Sequence, residues 1–339
     1  MNRIILIGNG FDLAHGLETK YEHFIDWFWK KTFDNIRSNN EIIYGDDFIR
    51  LKLDSIENGI SDEKIKYRLK TNACFYKNEF LRRITGESEF NNWVDIEEEY
   101  YTALKNCING NYKGGNVEKL NQEFEDIKRE LKNYLMGKSS KGITTNEEIL
   151  DKIYSTPKYQ DCIRAKKRLY QKIDRVDFTL FLNFNYTHTE SLYSSGATTI
   201  NIHGELNNSK NPIIFGYGDE QDTLHKEMER RGGSYLDNVK TVNYLKTPNY
   251  KNLMSFIEMD LYQVFIMGHS CGLSDKTLLS TLFEHEHCIS IKPFFYIDEK
   301  GHNNYEDIVK NIYRIFTGKA MMREKVVNKE YCEPLIQLK

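Results

Sequence analysis

The sequence predicts an α/β fold with a mainly parallel sheet and a large helical insertion after the first strand. Short apolar runs typical of strands occur at residues 4–7 and again from residue 178 onward, and helical stretches separate the later runs. Between about residues 20 and 175 such runs are sparse, which indicates helices. We therefore expect an α/β domain formed by residues 1–20 and 175–339, and a helical insertion domain over residues 21–174.

The strands expected after the insertion are short and rich in β-branched and aromatic residues. They are "FTLFLNFNY" (178–186), "TTINIHG" (198–204), "PIIFGYG" (212–218), "YQVFIMGHS" (262–270) and "ISIKPFFYID" (289–298). In this arrangement the first strand pairs with strands that lie far along the chain.

The clearest helix of the insertion is predicted over "NVEKLNQEFEDIKRELKNYLMG" (116–137), with Gly137 as its C-terminal stop. Its apolar residues recur at alternating spacings of three and four, so they share one face of the helix. They are Val117, Leu120, Phe124, Ile127, Leu131 and Tyr134. The stripe is shorter than three heptads, which favours packing in a core over a dimerising coiled coil.

Composition excludes several classes of protein. The 339 residues suffice for about two domains, and a net charge of -3 gives no electrostatic footprint for nucleic acid, which we do not expect as a partner. No run approaches the roughly 20 apolar residues of a membrane span, and the first apolar run is shorter than a signal-peptide core of about 7 residues or more. We therefore expect a soluble, cytoplasmic protein with no membrane partner.

The six cysteines are scattered without a CxxC pair, which indicates free thiols in a reducing compartment. The histidines show no HExxH motif. The run "HEHC" at residues 285–288 resembles a metal cluster, but no second group of ligands lies nearby in the sequence. We interpret it as ordinary helix surface or core packing and expect no metal.

A glycine turn follows the first strand. Gly8 and Gly10 permit a tight turn and a close backbone approach, and a helix that begins near Phe11 directs its free amides toward an anion. Leu13 stands where a dinucleotide fingerprint has its third glycine, so a structural turn and a phosphate site stay equally open. Asp12 either meets a ribose hydroxyl or favours the helix N-terminus.

The other expected strands also end in polar or glycine-containing turns. Asn185 and Thr187 follow one strand, His203 follows the next, and Gly268 and Ser270 follow a third. Because ligands bind outside the carboxyl ends of strands in open α/β sheets, these turns indicate one composite site. In the alternative, Asn185 satisfies a buried turn, His203 is a structural histidine, and residues 268–272 cap a helix.

The segments "LIGNGFDLAHGL", "NFNYTHT" and "NIHGELNN…IIFGYGDE" together resemble the AbiH family, which is linked to abortive infection of phage. "NNWVDIEEEY" (91–100) resembles the acidic, tryptophan-containing helix of that family. The order of the glycine turn, the asparagine turn, the His-Gly pair and "GHSCGLSD" also resembles the sirtuin fold, a Rossmann-type sheet with an NAD pocket. The resemblance covers about the first 20 residues and residues 178–280.

The resemblance to sirtuin-like enzymes implies that NAD is the substrate and that the bond between nicotinamide and ribose is cleaved. Asn185 is then expected to position the nicotinamide ribose and the attacking water, and His203 to act as the general base. The residues expected to bind the nucleotide are Gly8, Asn9, Gly10, Phe11, Asp12, Thr187, Gly268 and Ser270.

Two departures from the sirtuin pattern matter. The paired CxxC motifs of the zinc module of protein-deacetylating sirtuins are missing, which argues against a peptide deacetylase. Thr187 occupies a position where many sirtuin-like effectors have an acid, so ribose contacts or catalysis differ unless Asp219 compensates; the alternative for Asp219 is a surface turn.

The first functional hypothesis is therefore an antiphage effector that hydrolyses NAD. The alternatives are a sensor that binds NAD or ADP-ribose without chemistry, and a nuclease-type toxin with a metal held by the acidic run Asp95, Glu97, Glu98 and Glu99, which otherwise forms a solvated helix face. The resemblance also implies a phage-derived trigger or an operon partner, and assembly into a homo-oligomer.

Overall fold

The computed structural model describes residues 1–39, 41–53, 60–71, 73–90, 95–138, 142–162, 175–218 and 223–337, with the backbone alone for residues 87–90. The chain forms two compact units: Met1–Thr19 with Leu135–Glu220 and Asn238–Lys339, and Lys20–Tyr134 with Gln221–Asp237. These units differ from the predicted domains in where they assign residues 20, 135–174 and 221–237, and the predicted domain boundaries stay a prediction.

The described strands are β1 (Asn2–Ile7), β2 (Ile43–Gly45), β3 (Ile49–Lys52), β4 (Cys74–Tyr76), β5 (Thr179–Asn183), β6 (Thr198–Asn201), β7 (Tyr262–Met267) and β8 (Cys288–Phe294). The described α-helices are α1 (Asn9–Ala14), α2 (Tyr21–Arg37), α3 (Asp62–Leu69), α4 (Glu79–Phe90), α5 (Ile96–Ile108), α6 (Val117–Lys138), α7 (Glu147–Tyr154), α8 (Thr223–Arg231), α9 (Lys240–Tyr244), α10 (Asn249–Met259), α11 (Lys276–Glu284), α12 (Tyr305–Ile315) and α13 (Lys319–Lys325). No helix within these ranges combines the length and the apolar character needed to cross a membrane.

The sheet of the first unit contains five strands in the order β6-β5-β1-β7-β8, and every pairing is parallel. This confirms a mainly parallel α/β sheet whose first strand pairs with strands far along the chain. Counted along the chain, the order is 3-2-1-4-5, which reverses on the two sides of β1. Ile7 pairs with Asn183 on one side and with Met267 on the other, so three strands end together at this reversal.

Helices cover both faces of this sheet, which explains why β1 is a continuous apolar run rather than an alternating one. On one face, Ile4 and Leu6 share a buried cluster with residues of α10, α11 and α12. On the other face, Ile5 and Ile7 share a cluster with residues of α1 and α7. The carboxyl end of β1 therefore lies between helices that pack on both faces of the sheet.

Arg3 and Lys292 are buried cations that brace this unit away from the carboxyl ends of β1 and β5. Arg3 of β1 donates to the carbonyl oxygens of Ile153 at 2.8 Å and Ser155 at 2.6 Å, and so holds the end of α7. Lys292 of β8 pairs with Asp161 at 3.1 Å, and both side chains are buried. Burial lowers the pKa of Arg3 to about 10, which leaves it charged at neutral pH.

The second unit contains the antiparallel sheet β2-β3-β4 and most of the helices that precede residue 135. Its aromatic core includes Tyr100 stacked on Phe124 with ring centroids 3.9 Å apart. Among the residues of α6, all six members of the predicted apolar stripe are buried, which confirms the helix and its role in core packing. The helix passes Gly137 and ends at Lys138.

Two expectations about strands were wrong. Residues 212–218 form a loop, because Ile214 N–H donates to the His203 carbonyl and Tyr217 N–H to the Asn238 carbonyl rather than to a neighbouring strand. Strands β2 to β4, of three or four residues each, lie within the region expected to be helical. Such short strands leave too little alternation in the sequence to be recognised.

Candidate functional site

Three glycines lie at the reversal of strand order and pack backbone against backbone. A Cβ on Gly8 would lie 2.5 Å from the Cα of His269, and one on Gly10 would lie 2.8 Å from the Cα of Gly268. Gly268 adopts a φ of 79°, and a Cβ there would collide with the amide nitrogen of Phe11. The turn after β1 and the turn after β7 therefore fit together only because all three positions lack a side chain.

The amides of the glycine turn already have acceptors. Gly8 N–H donates to the Met267 carbonyl at 3.2 Å, Gly10 N–H to the Gly268 carbonyl at 2.8 Å, and Phe11 N–H to the Gly8 carbonyl at 2.8 Å. The structure thus accounts for both glycines by the contact between two turns. Because these three amide hydrogens are already engaged, a phosphate bound here would have to contact other donors.

Asp12 is buried behind the glycine turn, in α1. Its Oδ2 accepts a hydrogen bond from Thr187 Oγ1 at 2.5 Å, while its Oδ1 has no hydrogen-bond partner among the described residues. Burial raises the pKa of Asp12 to about 6, although the hydrogen bond from Thr187 acts in the opposite direction. Thr187 therefore has an identified role in the fold, because its hydroxyl supplies a hydrogen bond to the buried carboxyl group of Asp12.

We expect the stability of the chain to depend on pH through Asp12. The folded-state pKa of about 6 lies above the ordinary value of 3.8, so the protonated form stabilises the fold, and this contribution is lost as the pH rises through 6. Asp12→Asn should therefore raise the free energy of unfolding by about 3 kcal/mol relative to the wild type at pH 8, and leave it nearly unchanged at pH 4. Urea unfolding of both proteins at the two pH values measures this, and an equal difference at both values would contradict it.

The asparagine turn after β5 connects to the glycine turn through Asn185, whose Nδ2 donates to the Gly8 carbonyl at 3.0 Å. Asn183 supports this turn from below, since its Oδ1 accepts from the Asn185 amide at 3.0 Å and its Nδ2 donates to the Thr187 carbonyl at 2.9 Å. Asn185 thus supplies a hydrogen bond to the backbone of a turn, which is the structural role considered as the alternative in the sequence analysis. Its Oδ1 has no hydrogen-bond partner among the described residues, so it can accept from a ligand hydroxyl.

His203, just after β6, lies in a buried cluster of ionisable groups. Its Nε2 is 3.0 Å from Asp275 Oδ1 and 3.0 Å from the hydroxyl of Tyr244. Lys240 Nζ donates to the same Asp275 oxygen at 3.0 Å. Burial, followed by the charge of Lys240, lowers the pKa of His203, so this imidazole is neutral at pH 7.

Asp275 is the centre of this cluster. Burial alone acts to raise its pKa, but Lys240 and His203 outweigh burial and hold the pKa well below its usual range. His269 Nε2 approaches the other oxygen of Asp275 at 3.6 Å, and its Nδ1 accepts from the Cys271 amide at 3.0 Å. One carboxylate thus faces one ammonium and two imidazoles.

The charge on Asp275 also fixes the tautomer of His203. A carboxylate only accepts hydrogen bonds, so the single proton of the neutral ring lies on Nε2 and points at Asp275. The lone pair then lies on Nδ1, which has no hydrogen-bond partner among the described residues. His203 is therefore an oriented base at the carboxyl edge of the sheet.

The predicted site residues separate into two groups. Four of them lie near the carboxyl ends of β1, β5 and β6, as expected of a composite site: Asp12, Asn185, Thr187 and His203. Phe184 lies in the same place, since its ring centroid is 5.0 Å from that of His203. The other predicted binding residues make contacts within the fold. Phe11 packs on Tyr193, Asn9 Oδ1 accepts a hydrogen bond from the Thr19 hydroxyl, and the Ser270 carbonyl accepts one from Asn311 Nδ2.

Sequence reasoning missed Asp275, Lys240 and His269 as members of the site. Asp275 and His269 lie within "GHSCGLSD", from which only Gly268 and Ser270 were assigned to the site, so a signal for them existed. Lys240 lies in no motif. It is brought to Asp275 by the loop of residues 212–218, where Tyr217 pairs with Val239.

The acidic run of residues 95–99 has a structural account. Asp95 caps α5 by accepting from the amides of Glu97 and Glu98, and Glu99 pairs with Arg83 at 2.6 Å. Residues 91–94 of the acidic segment, and Asp219, lie outside the described residues.

Comparison with known proteins adds one match. The family model described as "Bacteriophage abortive infection AbiH" matches residues 4–297. No curated protein and no solved structure matches the chain. The matched residues include the glycine turn, the asparagine turn, His203 and the segment that ends in Asp275.

Proposed function

We propose, from the premise that this chain belongs to the AbiH family of bacteriophage abortive infection proteins, that it acts in phage defence by hydrolysing NAD. Membership of the family indicates the role in abortive infection. The chemistry is our inference, and it is carried by one observation: a neutral, oriented histidine lies at the carboxyl edge of a parallel sheet whose strand order reverses at β1. In open α/β folds that edge is where nucleotides bind.

The reaction needs a base more than it needs a strong nucleophile. Water attacks the anomeric carbon of the nicotinamide ribose, the carbon–nitrogen bond breaks with its electron pair going to nicotinamide, and ADP-ribose is left. His203 Nδ1 takes the proton that the attacking water loses, and Asp275 stabilises the imidazolium that forms through its contact with Nε2. Proton transfer by a positioned side chain of this kind contributes about 10² to 10⁴ in rate.

The neighbouring residues position the substrate. Asn185 Oδ1 offers an acceptor to a ribose hydroxyl beside Gly8, and the ring of Phe184 packs against the rings of His203 and His269. Positioning of this kind suits a reaction with an oxocarbenium-like transition state, where orientation of the sugar and the water accounts for much of the rate. The sirtuin-like identity of the core stays part of the proposal.

The test is the release of nicotinamide and ADP-ribose from NAD by the purified full-length chain, with phage lysate added as a source of the trigger. We expect His203→Ala to reduce the rate at least 100-fold, because the base is lost. His302→Ala is the matched control, since His302 is an exposed histidine that pairs with Asp298 alone among the described residues, and it should keep the full rate. Equal rates for the wild type and His203→Ala would overturn the assignment.

A nucleotide sensor without chemistry is the second candidate, because Asn185 Oδ1 offers an acceptor to a ribose hydroxyl whether or not a reaction follows. Tight binding of NAD or ADP-ribose without nicotinamide release would support this candidate. A phage-derived trigger, an operon partner and a homo-oligomer stay proposals in both cases.

A further inference from the structure

We propose that His285, His287 and Glu258 form a binding site for a divalent cation of the zinc type, at the end of the sheet opposite the candidate active site. The sequence run "HEHC" lacked a second group of ligands. The fold supplies it, because the last turn of α10 brings Glu258 beside the turn between α11 and β8. One ligand atom from each of these three residues lies within 4.8 Å of the other two.

The turn itself places both histidines on one side. Cys288 N–H donates to the His285 carbonyl at 3.1 Å, which closes a tight turn over residues 285–288. The two imidazole rings lie 5.0 Å apart and meet edge to face. Glu258 Oε1 is 3.2 Å from His285 Nε2, close to the separation of about 3.3 Å between two donors on a tetrahedral ion with bonds near 2.0 Å.

His287 is already in the form that a metal ligand requires. Its Nδ1 lies 3.0 Å from the carbonyl oxygen of Ile257, which can only accept, so the ring proton is on Nδ1. Nε2 therefore carries a lone pair and has no hydrogen-bond partner among the described residues. A histidine whose second nitrogen donates to a backbone carbonyl is the usual arrangement around protein-bound metals.

His285 needs a small adjustment. Its Nδ1 now accepts from the His287 amide at 3.2 Å, so its proton is on Nε2 and faces Glu258. When a cation binds Nε2, the single proton of the neutral ring moves from Nε2 to Nδ1, and the long hydrogen bond from the His287 amide is lost. Lys325 Nζ, which donates to the His285 carbonyl at 2.8 Å, places a positive charge nearby and limits the affinity.

Two imidazoles and one carboxylate are a ligand set that zinc and its neighbours accept, with a fourth position left for water. Because the site joins the end of α10 to the start of β8, a bound ion braces this edge of the sheet. We therefore expect the ion to raise the melting temperature. Since the site lies at the end of the sheet opposite His203, this inference does not depend on the proposed function.

The experiment is calorimetric titration of the full chain with Zn²⁺, beside His287→Ala and Glu258→Gln. We expect one ion per chain, at least tenfold weaker binding in both variants, and a rise in melting temperature with Zn²⁺ that both variants lose. Glu286→Gln is the matched control, because Glu286 is an exposed residue of the same turn, and it should bind as the wild type does.

Co²⁺ serves as a second probe, because its visible spectrum reports the ligands. A tetrahedral spectrum without thiolate charge-transfer absorption is expected for nitrogen and oxygen ligands. The proposal is overturned if the wild type shows no saturable binding, if His287→Ala and Glu258→Gln both bind as the wild type does, or if the cobalt spectrum shows thiolate ligation by a cysteine.

Discussion

Asp275→Asn is expected to lower the free energy of unfolding by about 3 to 5 kcal/mol. The change removes a carboxylate charge that lies 3.0 Å from Lys240 Nζ and 3.0 Å from His203 Nε2, and all three side chains are buried. Removing one member of a buried ion pair is costly because the remaining charge keeps its desolvation penalty and loses its compensation. Urea unfolding at pH 7 measures the loss.

The double variant Asp275→Asn/Lys240→Met separates this explanation from a simple packing defect. If the charge on Lys240 is the cause, removing it as well should restore part of the lost stability, and the two changes should be strongly non-additive. A double variant as unstable as the sum of the two single variants would show that the charge pair is not the origin of the effect.

Gly268→Ala is expected to destabilise the first unit by at least about 3 kcal/mol. Gly268 has a φ of 79°, a conformation that costs an alanine about 1 to 2 kcal/mol, and the added Cβ would also collide with the Phe11 amide and Gly10. The two turns then have to move apart, and the hydrogen bond of 2.8 Å from Gly10 N–H to the Gly268 carbonyl is lost.

Gly272→Ala is the matched control in the same loop. Gly272 has a φ of -63°, and a Cβ there would meet only Ser270 Oγ at 3.6 Å, an ordinary contact. We expect its thermal unfolding to match that of the wild type within about 1 kcal/mol. An equal loss of stability in both glycine variants would contradict the packing account of the glycine turn.

Much of the fold could be predicted because its determinants are local in the sequence. The continuous apolar run of β1 predicts a strand buried on both faces, and the stripe from Val117 to Tyr134 predicts α6. The strands β2 to β4 could not be found, since three or four residues carry almost no alternation. Residues 212–218 have strand-like composition, but their backbone partners lie in other loops, and the sequence does not show this.

The candidate site was predicted in part for a similar reason. Side chains that follow parallel strands meet at one edge, so Asn185 and His203 could be assigned together before the fold was known. Lys240 reaches Asp275 only through the loop that follows residue 211, and no local pattern marks it. In the sequence, the glycines of the first turn fitted a phosphate site and a tight turn equally well. The structure shows that the missing side chain of Gly10 lets the turn after β1 pack against Gly268 in the turn after β7.

The central claim is that this member of the AbiH family hydrolyses NAD through His203, and NAD in phage-infected cells tests it most directly. Cells carrying the wild type, His203→Ala or His302→Ala at equal protein levels are compared before and after infection. The account predicts that NAD collapses after infection with the wild type and with His302→Ala, and stays constant with His203→Ala. Protection from phage with unchanged NAD in the wild type would contradict it.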